Sequence, residues 1–435
     1  MPGSNVGAIS NDADKSMKST ASSSSVILRR CSIWAIAATC VSSVRAQEAL
    51  RTTLTEEEFR LSRRAAQGIP EYYNLRLGTS KWRFSSSLGF EYNDNVTLRE
   101  KNAEDDAILR PSAGVRMFMP ITDANSLDLS LDAGYSAYIS NTRLNQFFLK
   151  PGSGLSFDMS VGNLQISLHE RVSITERTYE DPTLSGRGDI QRLQNTIGPA
   201  LRWDMNRISA SLHYDHSDYI SLSSETDSRN GSAELMFATV GVHHNSGIFW
   251  GVEAGNGFIS YDQPSRMEIA QDAIQWNVGA FIRAPITEHL SFQCDAGYTA
   301  YEPVDSGKVT DNRSLYFQAS FTSRINQWIE TTLSAGRSVD FAFDGIPYEL
   351  LYLRLDPKYR VLKGFQMGTP IWWQRGELIT DQHSEFTQYG IGLDLRREIT
   401  EKLSGIIGYE HIEKLASTQG DYAVNRVRLT LQYDF

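Results

Sequence analysis

The sequence predicts an all-β chain, a transmembrane antiparallel up-and-down β-barrel of about eighteen strands with short periplasmic turns and longer extracellular loops. Three observations predict it. From Lys81 onward apolar and polar residues alternate. The connections between the alternating stretches are short and long by turns. Finally, residues 425–435 place Val427, Leu429, Leu431, Tyr433 and Phe435 against Arg426, Arg428, Thr430, Gln432 and Asp434, a strand with one greasy and one wet face.

The 435-residue chain carries a formal charge of -10 and is 22% charged. Its pI is near 5.4 and its mean hydropathy is -0.35. No apolar run is long enough for a transmembrane helix. Without a basic block or stripe, nucleic acid is not expected as a partner. No zinc-type Cys/His cluster and no phosphate loop is present, so no cofactor is expected.

Near the amino terminus, Arg29 and Arg30 precede a short apolar core, and Val44-Arg45-Ala46 stands before Gln47. This reads as a secretory signal over residues 1–46, with Met17 as an alternative start. Cys31 and Cys40 would leave with it, and Cys294 alone would remain, excluding an internal disulfide. Residues 47–80 read as a periplasmic lead-in or a tether. The barrel is assigned to 81–435.

In the first barrel stretch, Trp82, Phe84, Leu88, Phe90 and Tyr92 oppose Lys81, Arg83, Ser85, Ser87 and Glu91. The next are 108–119 and 126–139, the second being the cleanest, with Leu127, Leu129, Leu131, Ala133, Tyr135, Ala137 and Ile139 on one side. Alternation continues over 153–161, 164–174, 195–205, 208–216, 230–240, 248–260, 272–284 and 290–301. It then runs through 313–325, 328–339, 348–361, 365–375, 386–397, 403–412 and 422–435. These stretches are long enough for a tilted crossing, which takes about 9–11 residues.

Loop parity sets the topology. Short turns such as Gly162-Asn163, Asn206-Arg207 and Asn326-Gln327 alternate with long polar connections such as 93–107, 175–194 and 217–229. A soluble sandwich has no reason to sort its loops this way. An internal echo, Asp132-Ala-Gly-Tyr-Ser-Ala-Tyr138 against Asp295-Ala-Gly-Tyr-Thr-Ala-Tyr301, points to duplicated hairpins. A bilayer gives backbone groups no partner, so such a sheet crosses only if it closes. Tyr92, Trp203, Trp250, Tyr301, Trp328, Tyr409, Tyr433 and Phe435 near strand ends fit interfacial girdles.

Tyr73-Asn-Leu-Arg-Leu-Gly78 followed by Ser87-Leu-Gly-Phe-Glu-Tyr-Asn-Asp-Asn95 resembles the opening of outer-membrane β-barrel porin families of Gram-negative bacteria, and the likeness extends loosely over 70–435. The terminal strand likewise resembles the closing strand of such barrels, where Tyr433 and Phe435 would belong to the signal read by the barrel-assembly machinery. The resemblance implies a cell outer-membrane location and a porin-like role. It brings no functional residues with it.

Alternation assigns an inward face holding Arg116, Asp132, Asp158, Arg171, Asp204, Asp215, Glu234, Glu253, Asp295, Arg354, Asp356, Asp394, Arg396 and Arg428, the candidate pore-lining set. So many charges require a wet lumen or a dense pairing ladder. With both signs about equally represented, weak ion selectivity is expected; a lumen for a polyanion should carry one basic ring. The expected function is passive diffusion of small polar solutes or saccharides, without catalysis. Export of an extracellular polysaccharide and a closed structural or adhesive barrel are the alternatives. In the first reading a loop such as 175–194 folds inward as a constriction; in the adhesive one it folds outward.

His213 and Asp215 share the inward face with His169 and Ser167, yet no nucleophile motif accompanies them. The loop from Tyr92 to Asn95, with Glu104, Asp105 and Asp106, reads as a polar turn before it reads as a Ca²⁺ site. Glu170 and Arg337 fall on the lipid face, where a mid-membrane Arg costs about 2–4 kcal/mol and an acid less. Arg337 is expected near the outer headgroups; Glu170 implies either a bulge that shifts the register or a wall facing another protomer, and a homo-oligomer contact around 164–205 is the expectation.

Overall fold

The computed structural model describes residues 73–175, 183, 185, 191–222, 230–244, 247–262, 272–304, 311–341, 346–380, 384–418 and 420–435. The signal assigned to 1–46 and most of the 47–80 lead-in lie outside the described residues. Twenty strand segments form one sheet. They are β1 (Leu75–Leu77), β2 (Ser80–Asn93), β3 (Asp106–Pro120), β4 (Asn125–Tyr138), β5 (Gln146–Val161), β6 (Leu164–Thr175), β7 (Arg192–Met205), β8 (Ile208–Ser221), β9 (Gly231–His243) and β10 (Phe249–Tyr261). After these come β11 (Ala273–Thr287), β12 (Leu290–Pro303), β13 (Asn312–Arg324), β14 (Ile329–Phe341), β15 (Pro347–Leu362), β16 (Phe365–Gly368), β17 (Ile371–Leu378), β18 (Glu385–Glu398), β19 (Leu403–Ala416) and β20 (Tyr422–Asp434).

Each strand from β2 pairs antiparallel with the next, β16 and β17 counting as one, and β20 returns to β2, from Ser85 opposite Asp434 to Asn93 opposite Arg426. The result is a closed 18-strand barrel. Two features separate twenty segments from eighteen staves. β1 is a short hook that folds back onto Ser80–Trp82. β16 and β17 are one stave, broken at Thr369 and Pro370, because both pair with β15 on one side and β18 on the other. Proline has no N–H for the ladder, and its carbonyl instead accepts from Gly392 N at 2.8 Å.

The tight turns need left-handed backbone. Gly162 has φ of 60° and Asn206 has φ of 65°, the two residue types that enter this region most easily.

Exposure separates the two surfaces. The outward positions carry Leu88, Phe90, Leu131, Leu168, Val252 at 60%, Val278, Leu315 at 65%, Leu353, Ile407 and Leu429. An apolar girdle of this extent on a water-soluble monomer would be an aggregation site; around a closed barrel it is a lipid-facing band. Trp203, Trp250, Trp328, Tyr433 and Phe435 lie outward at the short-turn end, and Tyr92 and Tyr409 outward towards the other. Tyr301 departs from expectation. It points inward, 2% exposed against Ala273, because it shares parity with Asp295 rather than with the outward Tyr298. No described helix is long and apolar enough to cross a membrane.

Candidate functional site

The lumen is built from the polar parity of the staves, and around the seam its charges hold one another. Arg110 reaches Glu91 at 2.6 Å and Ser136 at 3.2 Å. Arg426 lies 3.9 Å from Glu91 and also pairs with Glu410. Further pairs are Arg428 with Asp394 at 2.6 Å, Arg83 with Asp434 at 2.9 Å and Arg354 with Asp356 at 2.6 Å. Arg396 stands on the same face of β18, opposite Gln366. Arg116 stands opposite Arg83.

On β4–β8 the pattern continues. Lys150 meets Asp132 at 2.9 Å, and Ser167 donates to Asp158 at 2.6 Å. Arg202 pairs with Asp204 at 3.2 Å. Asp215 is held between His169 Nε2 at 2.8 Å and Arg171 at 3.2 Å, with both His169 and Asp215 buried. Ser167 is held by Asp158 across the β5–β6 pair, while Ser156 stands opposite His169.

The β9–β12 wall differs. Its inward charges are Glu253, Arg283 and Asp295, with Arg283 on Asp295 at 2.7 Å and Tyr316 donating to Glu253 at 2.6 Å. Other inward positions hold Leu235, Phe237, Gln275, Asn277 and glycines.

Glu234 does not face the lumen. It shares the outward parity of Met236 and Val240, both exposed, lies 2.7 Å from His216 Nδ1 and accepts from the Tyr214 hydroxyl. The inward positions beside it are Ala233, Leu235 and Phe237, all buried, so both faces of β9 are apolar and period 2 cannot tell them apart. Glu170 is outward as expected, opposite Leu155 and Ile197. Arg337 is also outward and pairs with Glu349 at 2.5 Å near the long-loop end of β14 and β15.

The long-loop end is lined by inserted chain. Leu98, of the β2–β3 connection, is 1% exposed among Ile412, Tyr422 and Val424, and its φ of 53° is unusual for a bulky residue. The loop is clamped by Asp94, which accepts from Asn425 N and Nδ2, both at 2.7 Å, and by Asn95, which donates to Ala423 O at 3.0 Å. Asp106 accepts from the backbone of Ala107, Ile139, Ser140 and Asn141. These carboxylates are spread over separate loop contacts, and among the described residues no group of His, Cys, Asp and Glu is placed to hold a metal.

Of the 176–190 connection, Thr183 is buried and Ser185 bonds to Lys414 Nζ at 2.9 Å and to Gly420 O at 3.0 Å. Lys414 points inward, is fully buried, and lies over the rings of Tyr422 and Phe386 at 5.5 and 5.7 Å. Sequence reasoning passed over Lys414, Arg110, Arg426 and Tyr316. The first three sit on the polar parity and were findable, whereas Tyr316 reads as an ordinary aromatic.

A closed antiparallel sheet with an apolar, aromatic-edged exterior and an ion-paired interior defines a membrane-spanning barrel. Solved structures of the same architecture include OccK2 (OpdF) of Pseudomonas aeruginosa in complex with glucuronate, with a TM-score of 0.50 and 12% identity over 82% of this chain and 99% of that one. A BenF-like porin of Pseudomonas fluorescens Pf-5 gives a TM-score of 0.49 and 11% identity over 82% and 100%. OccAB3 of Acinetobacter baumannii gives 0.47 and 12% over 81% and 99%. At these identities the likeness is one of fold. No protein-family model and no curated protein matches the sequence.

Proposed function

We propose that this barrel lies in a bacterial outer membrane and lets small polar solutes diffuse passively through its lumen, without catalysis or a resident cofactor. One observation carries the reading: the inward face holds ionised side chains that neutralise one another in pairs, such as Arg110 with Glu91, Arg354 with Asp356 and Arg428 with Asp394. Such a lining hydrates a passage without making it a single-sign filter. Arg116, Asp132, Asp158, Arg171, Asp204, Asp215, Glu253, Asp295 and Arg396 complete the proposed lining. Ser185, reached by the inward Lys414 at 2.9 Å, supports the inward placement expected of the 175–194 loop at this residue.

The test is single-channel conductance of the refolded chain in a planar bilayer under a salt gradient. Stable steps with weak selectivity are the expected result, and strong anion selectivity would favour an export pore for an acidic polysaccharide. A silent bilayer from folded protein would favour a closed structural barrel, a reading that the Leu98 cluster at the mouth supports.

We further propose that the outward polar strip formed by Glu170, Asn195, His216 and Glu234 abuts a second protomer. Removing it with Glu170→Leu and Glu234→Leu should lower the oligomer mass in mild detergent, and a wild-type monomer would end this reading.

A further inference from the structure

We infer that the β10–β13 wall carries a subsite for a neutral polyhydroxylated solute, a sugar or polyol. This rests on the channel reading above and names a place within it.

The wall is cut back by glycine. Gly255, Gly279 and Gly297 take inward positions on β10, β11 and β12, with Gly279 directly opposite Gly297. A Cβ on Gly279 would lie 2.1 Å from the Tyr316 hydroxyl, and one on Gly297 would lie 2.7 Å from it. The missing side chains therefore let Tyr316 lie across the wall, with its hydroxyl on Glu253 at 2.6 Å. Beside it opens a recess lined by Gln275, Asn277, Thr299, Gln318, Glu253 and Asp340.

The amides decide what this recess takes. Gln275, Asn277 and Gln318 are half-buried, and none hydrogen-bonds to another described side chain or backbone group. Each offers two N–H donors and a carbonyl acceptor. Around the seam, by contrast, the polar groups are already committed to one another. The acids of the recess are engaged as well: Tyr316 donates to Glu253, Ser338 donates to Asp340 at 3.1 Å, and Arg283 holds Asp295 at 2.7 Å. An anion would meet three carboxylates there, with the nearby guanidinium bound to one of them. A cation would have to compete with donors already in place. A hydroxyl group both donates and accepts, so a polyol can satisfy both the N–H donors and the carbonyl acceptors of the unused amides.

The test uses the folded full chain in detergent, titrated calorimetrically with sucrose and maltose, and with glucuronate and glucosamine as charged probes. In parallel, each sugar is added to the conducting bilayer. The neutral sugars should bind and interrupt the current. Gln318→Leu, alone and with Asn277→Leu, should weaken both effects about tenfold. Arg375→Gln, on the outer surface, should leave sugar binding unchanged. Heat-dependent gel mobility confirms folding, and if the double variant fails to fold the single one carries the test.

Tighter binding of glucuronate or glucosamine, unchanged affinity in Gln318→Leu, or no sugar binding to the folded wild type would overturn the subsite. A bilayer that conducts but ignores neutral sugar would overturn it while leaving the channel standing. A silent bilayer would defeat the channel, and the calorimetry would still decide the recess.

Discussion

On β18–β20 and β2–β3 the inward positions are filled by ions that hold one another, whereas on β10–β12 they are mostly glycines, amides, hydroxyls and apolar side chains, with Tyr316 of β13 laid across them. The first wall is costly to disturb at Glu91, Arg110 and Arg426, because these buried charges are kept in a poorly solvated place by one another. The second wall has polar groups without such commitments. Within one lumen, then, stiffness and unused hydrogen-bonding capacity lie on different staves, and adding charges does not by itself add places for a solute to bind.

The largest expected effect comes from breaking the first wall. Glu91→Ala leaves Arg110 and Arg426 without a carboxylate they now share, and loss of one partner of a buried pair costs about 3–5 kcal/mol. Urea unfolding monitored by tryptophan fluorescence should show it; a change under about 1 kcal/mol would mean that water already serves these arginines. On the second wall, Tyr316→Phe removes one hydrogen bond to a carboxylate, worth about 1.5–3 kcal/mol by the same assay. If the two variants cost the same, the contrast between the walls is wrong.

Arg428→Gln should barely alter stability but leave Asp394 without its cation. The reversal potential in a salt gradient should then move modestly towards cation preference; movement the other way would place Asp394 outside the conducting path. Smallest of all is Arg375→Gln. Its partner Glu385 lies 2.5 Å away, but the two side chains are 55% and 46% exposed on the outer surface. A cost of about 0–1 kcal/mol is expected, fading with salt.

The staves were legible because alternation is enforced twice, by lipid outside and by polar groups inside. It failed where one of these enforcers is missing. On β9, Leu235 and Phe237 fill the inside with apolar bulk, so Glu234 was read onto the wrong face. β5 begins at Gln146 rather than 153, because Pro151 and Gly152 fall where the pairing register slips between Leu149 and Ser153. The break at Pro370 was hidden because both halves keep the same parity. Inward charges such as Arg354 and Asp394 could be read one strand at a time. Asp356, two residues from Arg354 on the same strand, was equally legible, but the pairing of Arg428 with Asp394 was not, since they lie on different staves and meet only after the sheet is rolled. The Tyr316 recess was invisible for a related reason: a glycine in a strand states that something comes close without saying what.

The seam between β2 and β20 also sets an order in time. Ser85 to Asn93 find their partners at Arg426 to Asp434, among the most distant pairings in the chain. Such contacts carry a large loop-closure cost and form late. Throughout synthesis and delivery one edge of β2 stays hungry for a strand, so a chain lacking β20 is not a slightly smaller barrel but an open sheet with two adhesive borders. Until the final stave arrives, that border is the most adhesive part of the chain.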